Sequence, residues 1–442
     1  MNWVKYLPAF IRQGMEGRSY LKRVLKNTSW LFFDNILRMG VGLIVGVWLA
    51  RYLGPGKYGQ LNYSLAFVAV FSSLANLGLN NIVIRNVVND PTLKNEILGT
   101  TFVLKLFGGL LAFGITVASI FLLHPDDTST NVIVAIIAAG LLFQAFDAID
   151  LWYQSQIQSK IPVIARTMVI VTVNMIKIVL IVLKAPLIAF VWASLAEIVL
   201  GSAGLLTAFK INGQHLRSWF ATSSMAKKLI KDSWPLTVAS LSGMVYLRID
   251  QVMLGEMKGN EEVGIYSVAV RLAEVWYFIP MAIVSSVLPG IVEAKAVSEQ
   301  LFYDRLQRFY NIMAFIGYLI ALPMTFFAGW LVNYLFGPEY ARAGSMLMVL
   351  IWAGIFVNIG VARSAFLTSM NWTRAYLMTE VMGCTVNIVL NLALIPRYGG
   401  MGAVIASCVA YWVAAHGACF LYRPLHKTGF MLTRAMLFPK FW

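Results

Sequence analysis

Residues 28–50, TSWLFFDNILRMGVGLIVGVWLA, determine the fold class of this chain. The run is apolar and long enough to cross a bilayer, for which a helix needs about 20 residues. Two charges interrupt it, Asp34 and Arg38, four residues apart and therefore on one helical face. A charge at the centre of a membrane helix costs roughly 2.5–3.5 kcal/mol, and such side chains usually face a bundle interior or a water-filled cavity. The stretch therefore predicts a membrane helix whose charged face is turned towards protein.

The same pattern recurs along the whole chain. Its 442 residues are 59% hydrophobic and 12% charged, whereas a soluble domain carries about 25% charged residues. Twelve spans would use about 240 residues and leave only short loops. The sequence thus predicts an all-α integral membrane protein with about twelve transmembrane helices. The predicted spans are 28–50, 61–84, 96–122, 131–155, 163–183, 187–209, 233–254, 263–288, 310–335, 343–369, 375–395 and 400–422.

The distribution of Lys and Arg indicates the orientation. If both termini are cytoplasmic, the predicted cytoplasmic segments carry several times as many basic residues as the outer loops, as the positive-inside rule requires. This asymmetry accounts for the net charge of +15 without a nucleic-acid partner. Aromatic and basic residues are mixed in 1–27 and 210–231, which predicts interfacial amphipathic helices there.

The two halves of the chain resemble each other. NTSWLFFDNILR opens the first half at Asn27, and KDSWPLTVASLS opens the second at Lys231. Six spans per half give both halves the same orientation, which predicts a parallel repeat with a cargo site between two lobes. The predicted divisions are a basic N-terminal segment (1–27), an N-lobe (28–209), an amphipathic linker (210–231), a C-lobe (232–422) and a basic cytoplasmic tail (423–442).

Charged and amide side chains within the spans are the candidate transport residues. Ser267, Arg271 and Glu274 lie on one face of the eighth span. For the pairs Asp34–Arg38 and Arg248–Asp250, a purely structural ion pair remains an alternative to cavity lining. Further candidates are Lys105, Lys177, Glu197 and Arg363, together with a stripe formed by Glu380, Asn387 and Asn391.

Proline and glycine positions suggest mechanical features. Pro280 and Pro323 interrupt the eighth and ninth spans and predict kinks. Gly42 and Gly46 form a small-xxx-small pair that favours close helix packing. There is no Walker A loop and no large outer loop rich in acids or Arg, so we expect a transporter and not an enzyme.

Four motifs resemble a known family. They are LARYLGPGKYG (49–59), YLRIDQVMLG (246–255), VGIYSVAVRLAEVWYFIP (263–280) and VLPGI (287–291). Together they resemble polysaccharide-export flippases, the Wzx-type O-antigen translocases of the multidrug/oligosaccharidyl-lipid/polysaccharide exporter superfamily. The resemblance implies two six-helix lobes in a V around a cavity. It also implies a bacterial inner-membrane protein that moves undecaprenyl-pyrophosphate-linked oligosaccharide repeat units to the outer leaflet for O-antigen or similar polysaccharide biosynthesis.

The resemblance also ranks the candidate residues. Arg271 and Arg248 lie in family motifs, whereas Arg38, Lys177, Lys105 and Arg363 are candidates because they are basic and intramembrane. Arg is suited to bidentate phosphate recognition, so these six residues are predicted to bind the pyrophosphate and glycan. Supporting or ion-coupling candidates are Asp34, Asp250, Glu274, Glu380, Glu197, Asn387 and Asn391.

We expect no cofactor and no resident metal, with H⁺ or Na⁺ as candidate coupling ions. The expected partners are the lipid-linked oligosaccharide, the bilayer and, as an option, a polymerase and a chain-length regulator. Two other functions stay open at this point: an ion-coupled multidrug antiporter on the same fold, and a membrane glycan polymerase or ligase, against which the short outer loops argue.

Overall fold

The computed structural model describes residues 19–370 and 372–439, which are almost entirely helical and contain no β-strand. The first eighteen residues of the predicted N-terminal segment lie outside the described residues, as do Asn371 and 440–442. The helices are α1 Ser19–Asn76, α2 Asn80–Asn89, α3 Lys94–Leu123, α4 Thr128–Ala139, α5 Asp147–Ser155, α6 Lys160–Val182, α7 Leu187–Ile211, α8 Ser223–Lys258, α9 Asn260–Glu274, α10 Phe278–Val297, α11 Glu299–Phe336, α12 Ala341–Ser369, α13 Thr373–Tyr398, α14 Gly400–Ala415 and α15 His426–Leu437.

Within the described residues, ten helical segments are long and apolar enough to cross a membrane. The first of them, Asp34–Asn89, covers two of the predicted spans, 28–50 and 61–84. The predicted span 233–254 lies in α8 and is not apolar enough to be counted, because Arg248, Asp250 and Gln251 fall within it. These two differences account for the gap between ten segments and the twelve predicted spans.

The motif at 49–59 breaks α1 in two. Gly54 has φ 68° and ψ 169°, a backbone conformation that favours glycine, and Pro55 follows it. The chain therefore reverses between the first and second spans without a separate loop. Pro280 lies near the start of α10, just after a 3₁₀ turn at Val275–Tyr277, so the eighth span is interrupted as predicted. Pro323, in contrast, lies inside the continuous helix α11.

The fourth predicted span, 131–155, is not one α-helix. Residues Gly140–Phe146 form a 3₁₀ segment between α4 and α5. The predicted amphipathic helix at 210–231 is also wrong over its first part, which contains only a 3₁₀ turn at Leu216–Ser218. There the Trp219 ring packs between Phe102 and Phe209, at ring-centroid distances of 6.1 and 5.5 Å, and this packing fixes the linker to the N-lobe.

The C-terminal residues pack on the bundle. Helix α15 lies along α11, where Gln307 and Tyr318 donate hydrogen bonds of 3.0 and 3.1 Å to the carbonyl oxygens of Met431 and Met436. The Lys427 ammonium lies over the ring of Tyr303, 3.1 Å from its centroid. Residues 426–437, within the segment predicted as a basic cytoplasmic tail, therefore form a helix that packs against α11.

Candidate transport cavity

The two lobes are joined tightly at one end of the bundle, which we call the sealed end. It holds the turns at 51–60, 255–264 and 336–341. At Gly264 an added Cβ would overlap the carbonyl group of Pro55, so the two backbones touch. Tyr340 donates a 2.8 Å hydrogen bond to the Ala50 carbonyl, and Arg51 donates one of 2.5 Å to the Tyr334 carbonyl.

Below the sealed end a cavity of about 440 Å³ separates α1 from α9. Two further chambers extend it. A chamber of about 360 Å³ inside the N-lobe shares Arg38 with this cavity, and one of about 900 Å³ bordered by both lobes shares Ser72 with the N-lobe chamber. The cavities are therefore adjacent, and polar side chains of both lobes line them.

Three guanidinium groups line the cavity between α1 and α9: Arg38, Arg248 and Arg271. Arg38 is paired with Asp34 at 3.3 Å, and Asp34 also accepts a 3.1 Å hydrogen bond from Thr167. Arg248 makes a two-pronged ion pair with Glu274, at 3.2 and 3.3 Å. The Arg248–Asp250 pair considered from the sequence does not form, because residues two apart point to different sides of α8.

Arg271 has no carboxylate within ion-pair distance among the described residues. Its guanidinium crosses to α1, where it donates to the Gly42 carbonyl and, at 3.4 Å, to the Tyr58 hydroxyl. It is thus a cation at the cavity surface whose partners are neutral.

The N-lobe chamber contains ion pairs that link different helices. Lys177 on α6 contacts Glu197 on α7 at 3.0 Å. Arg166 bridges Asp147 and Asp150 at 2.9 Å each. These last three residues are not among the site residues predicted from the sequence. The sequence signal that could have identified them is the spacing of Asp147 and Asp150, which are three residues apart and therefore on one helical face.

Two further predicted cations are buried at the large chamber: Lys105 lies behind its wall, and Arg363 is part of its lining. Lys105 is fully buried and donates to the side-chain oxygens of Asn76 and Asn80, at 3.1 and 2.9 Å. Both amides line the large chamber, so Lys105 orients its wall from behind. Arg363 is 1% exposed and donates a 2.9 Å hydrogen bond to Thr379. Their predicted role in cargo binding stays a prediction.

The C-lobe holds a buried polar cluster around Asp250. The carboxylate accepts hydrogen bonds from Asn391 at 2.5 Å, from Tyr266 at 2.9 Å and from Ser407. Asn391 also donates to Asn387 at 3.2 Å, while its own carbonyl oxygen is buried without a hydrogen-bond partner. The large chamber is lined in part by Glu380, the remaining member of the predicted stripe, and by Tyr246. The stripe thus divides between a buried cluster and a chamber wall.

The family described as "Polysaccharide biosynthesis protein" matches residues 24–295, more than half of the chain. The chain belongs to this family. A second family, MatE, matches residues 235–393 of this chain. The resemblance drawn from the sequence motifs is thereby confirmed.

Curated relatives differ in how much of their length the match covers. The chain is 21% identical to "Probable flippase AglR" of Haloferax volcanii over 88% of this chain and 81% of AglR. It is 20% identical to "Capsular polysaccharide biosynthesis protein CapF" of Staphylococcus aureus over 90% and 99% of the two chains. The match to "Probable low-salt glycan biosynthesis flippase Agl15" of Haloferax volcanii, 23% identical, covers 42% of this chain and 40% of Agl15.

Solved structures share the fold. "Lipid II flippase MurJ, inward closed conformation" superposes with a TM-score of 0.70 at 13% identity, over 93% of this chain and 91% of that one. An inward-facing multidrug resistance MATE transporter of the MOP superfamily gives 0.66 at 16% identity, over 88% and 96%. The predicted all-helical, two-lobed exporter fold of a multi-pass membrane protein is therefore confirmed, and the domain boundaries stay predictions.

Proposed function

We propose that this protein is a flippase that moves a polyprenyl-pyrophosphate-linked oligosaccharide from the cytoplasmic to the outer leaflet of the cytoplasmic membrane. The observation that carries the proposal is the cluster of Arg38, Arg248 and Arg271 around the inter-lobe cavity. A pyrophosphate is an anion, and guanidinium groups bind phosphate oxygens through strong, charge-assisted hydrogen bonds. The relatives' names, "Probable flippase AglR" and "Capsular polysaccharide biosynthesis protein CapF", support a flippase that acts in polysaccharide biosynthesis.

The glycan would occupy the chamber of about 900 Å³. Its lining combines amides with aromatic side chains, including Asn76, Asn80, Tyr246 and Tyr376. Amides and hydroxyl groups donate to and accept from sugar hydroxyls, and flat aromatic faces pack on sugar rings. The polyprenyl chain would stay in lipid beside a gap between the lobes, since burying it in the polar cavity would gain nothing over hydrocarbon.

The orientation follows from the basic residues. With both termini cytoplasmic, the sealed end faces outwards and the cavity opens to the cytoplasmic leaflet, where lipid-linked repeat units are assembled. Rocking of the lobes would then break the sealed end and expose the head group outside, without covalent chemistry. A polymerase and a chain-length regulator would act on the cargo after this step.

The buried Asp250 cluster is our proposed coupling site. Asn391 donates through its amide nitrogen to the Asp250 carboxylate and has a buried carbonyl oxygen without a hydrogen-bond partner, and hard cations bind such oxygen donors. A proton on Asp250 would satisfy the same site. Either ion would neutralise a charge that is costly to bury, so its binding would favour one arrangement of the C-lobe.

The test is the leaflet distribution of lipid-linked oligosaccharide in cells without this protein. We expect accumulation in the cytoplasmic leaflet, which wild type restores and Arg271→Ala does not, with Gly40→Ala as a matched substitution elsewhere. Normal outer-leaflet glycan in a deletion strain that has no redundant flippase would overturn the proposal. Drug sensitivity with normal glycan would identify a multidrug antiporter, the alternative that the MatE match over 235–393 favours.

A further inference from the structure

Arg271 closes the cavity at the point where the sealed end begins. On its outer side, Tyr58 packs edge-on against Tyr340, with ring centroids 6.3 Å apart, and Tyr340 bonds to the Ala50 carbonyl. On its other side lies the open cavity with Arg38 and Arg248. Arg271 is therefore both the last contact of the seal and a cation that faces the cavity.

Gly46 permits this contact. An added Cβ at Gly46 would overlap the guanidinium carbon and two nitrogens of Arg271, whereas one at Gly42 would meet it at an ordinary 3.8 Å. The Arg271 head group therefore lies flat on α1, across the face that Gly46 leaves bare. The sequence suggested only helix packing for this glycine pair, and the structure shows that an arginine of the other lobe fills the groove.

The partners of Arg271 on α1 are weak competitors for its charge. A carbonyl and a phenol hydroxyl are neutral acceptors, whereas an anionic oxygen adds the attraction between two opposite charges to its hydrogen bond with the guanidinium. An anionic oxygen that enters the cavity would therefore take the guanidinium away from Gly42 and Tyr58. The contact between α9 and α1 would then be lost at the base of the sealed end.

We propose that Arg271 is the residue that couples cargo binding to opening, with Gly46 as its positioning residue. In the empty carrier Arg271 latches α9 to α1, and the pyrophosphate of the cargo releases this latch by competing for the guanidinium. The inference rests on the proposed function, because it needs an anionic head group in the cavity. It explains how the sealed end stays closed until cargo is bound.

Gly46→Ala tests the latch, and Gly40→Ala is its matched control. Both substitutions add one methyl group to the same helix, but nothing lies within 4 Å of a Cβ at Gly40. At Gly46 the methyl group meets the far end of a flexible side chain, which can move aside without unfolding the protein. The probe is a short-chain prenyl pyrophosphate, titrated against purified full-length protein in nanodiscs.

We expect Gly46→Ala to bind the probe about tenfold more tightly than wild type. In this variant Arg271 does not have to give up its hydrogen bond to the Gly42 carbonyl before it contacts the probe. Gly40→Ala should bind like wild type. Tyr58→Phe, which removes one acceptor and leaves Gly46 intact, should tighten binding about threefold, in the same direction.

A second readout follows the seal directly. Spin labels at Lys57 and Glu339, exposed residues on opposite sides of the sealed end, report the distance between the lobes after Cys384, Cys408 and Cys419 are replaced by alanine. The probe should lengthen this distance in wild type, and Gly46→Ala should lengthen it without the probe. Equal binding and equal distances in Gly46→Ala and Gly40→Ala, or weaker binding by Gly46→Ala, would overturn the latch. A wild-type protein that binds no probe would instead refute the proposed function itself.

Discussion

Substitutions in the ion pair between Arg248 and Glu274 can distinguish a role of the cavity charges in transport from a purely structural role. The two side chains meet through two nitrogen–oxygen contacts of 3.2 and 3.3 Å, and they are 30% and 28% exposed to the cavity. Arg248→Gln and Glu274→Gln each remove one charge and keep the size and polarity of the side chain. The double variant removes both charges together.

The contact distance sets the expected magnitudes. At 3.2 Å the attraction is about 5 kcal/mol for an effective dielectric constant of about 20. Desolvation of the two ions offsets most of it, while loss of one partner leaves the other charge uncompensated. With both groups about a third exposed, we expect each single variant to lower the free energy of unfolding by about 2 kcal/mol and the double variant to lie within about 1 kcal/mol of wild type.

The assay combines unfolding of the purified protein in detergent with the leaflet distribution of lipid-linked oligosaccharide. Stability should recover in the double variant, and transport should not, because Arg248 is also needed for the pyrophosphate. If the double variant regained transport along with stability, the pair would be a structural link only, and Arg248 would not contact the cargo.

Three further predictions concern other parts of the bundle. Gly264→Ala places a Cβ on the Pro55 carbonyl and should keep the sealed end from closing. The spin-label distance should then be longer than in wild type, and transport should be lost. Gly56→Ala is the control: a Cβ there has nothing within 4 Å, so this variant should match wild type. Lys105→Met removes the buried donor that holds the Asn76 and Asn80 side chains at the chamber wall and should lower the free energy of unfolding by about 1 kcal/mol. Probe binding should change less than in Arg271→Ala, and equal loss of binding in both would place Lys105 at the cargo. Asp250→Asn removes the charge of the buried cluster and should abolish the response of transport to Na⁺ or pH gradients; a full response in this variant would exclude Asp250 as the coupling site.

The membrane helices could be predicted from the sequence, because apolar runs of bilayer length have few alternative structures. The reversal at Gly54 was also predictable, since Gly-Pro marks a turn. The 3₁₀ segment at Gly140–Phe146 was not, because its apolar sequence is compatible with an ordinary helix. The packing of α15 against α11 was not predictable either, because the sequence indicated only a basic cytoplasmic tail there.

The sequence could predict which residues line the site, but it could not predict which of them form ion pairs with each other. Intramembrane charge identified Arg38, Arg248 and Arg271 as candidates, but partners on other helices depend on helix packing. Lys177 has no acid partner on its own helix, and its contact with Glu197 appears only when α6 and α7 are side by side. The role of Gly46 was hidden for the same reason, since Arg271 is more than two hundred residues away in the chain.

The most direct measurement of the central claim uses purified protein in proteoliposomes that contain a fluorescent polyprenyl-pyrophosphate-linked glycan. A membrane-impermeant quencher reports how fast the glycan moves between leaflets. The account predicts transfer well above protein-free vesicles for wild type and Gly40→Ala, and transfer near the protein-free rate for Arg271→Ala. Transfer at the protein-free rate with wild type under both Na⁺ and proton gradients, or undiminished transfer with Arg271→Ala, would contradict it.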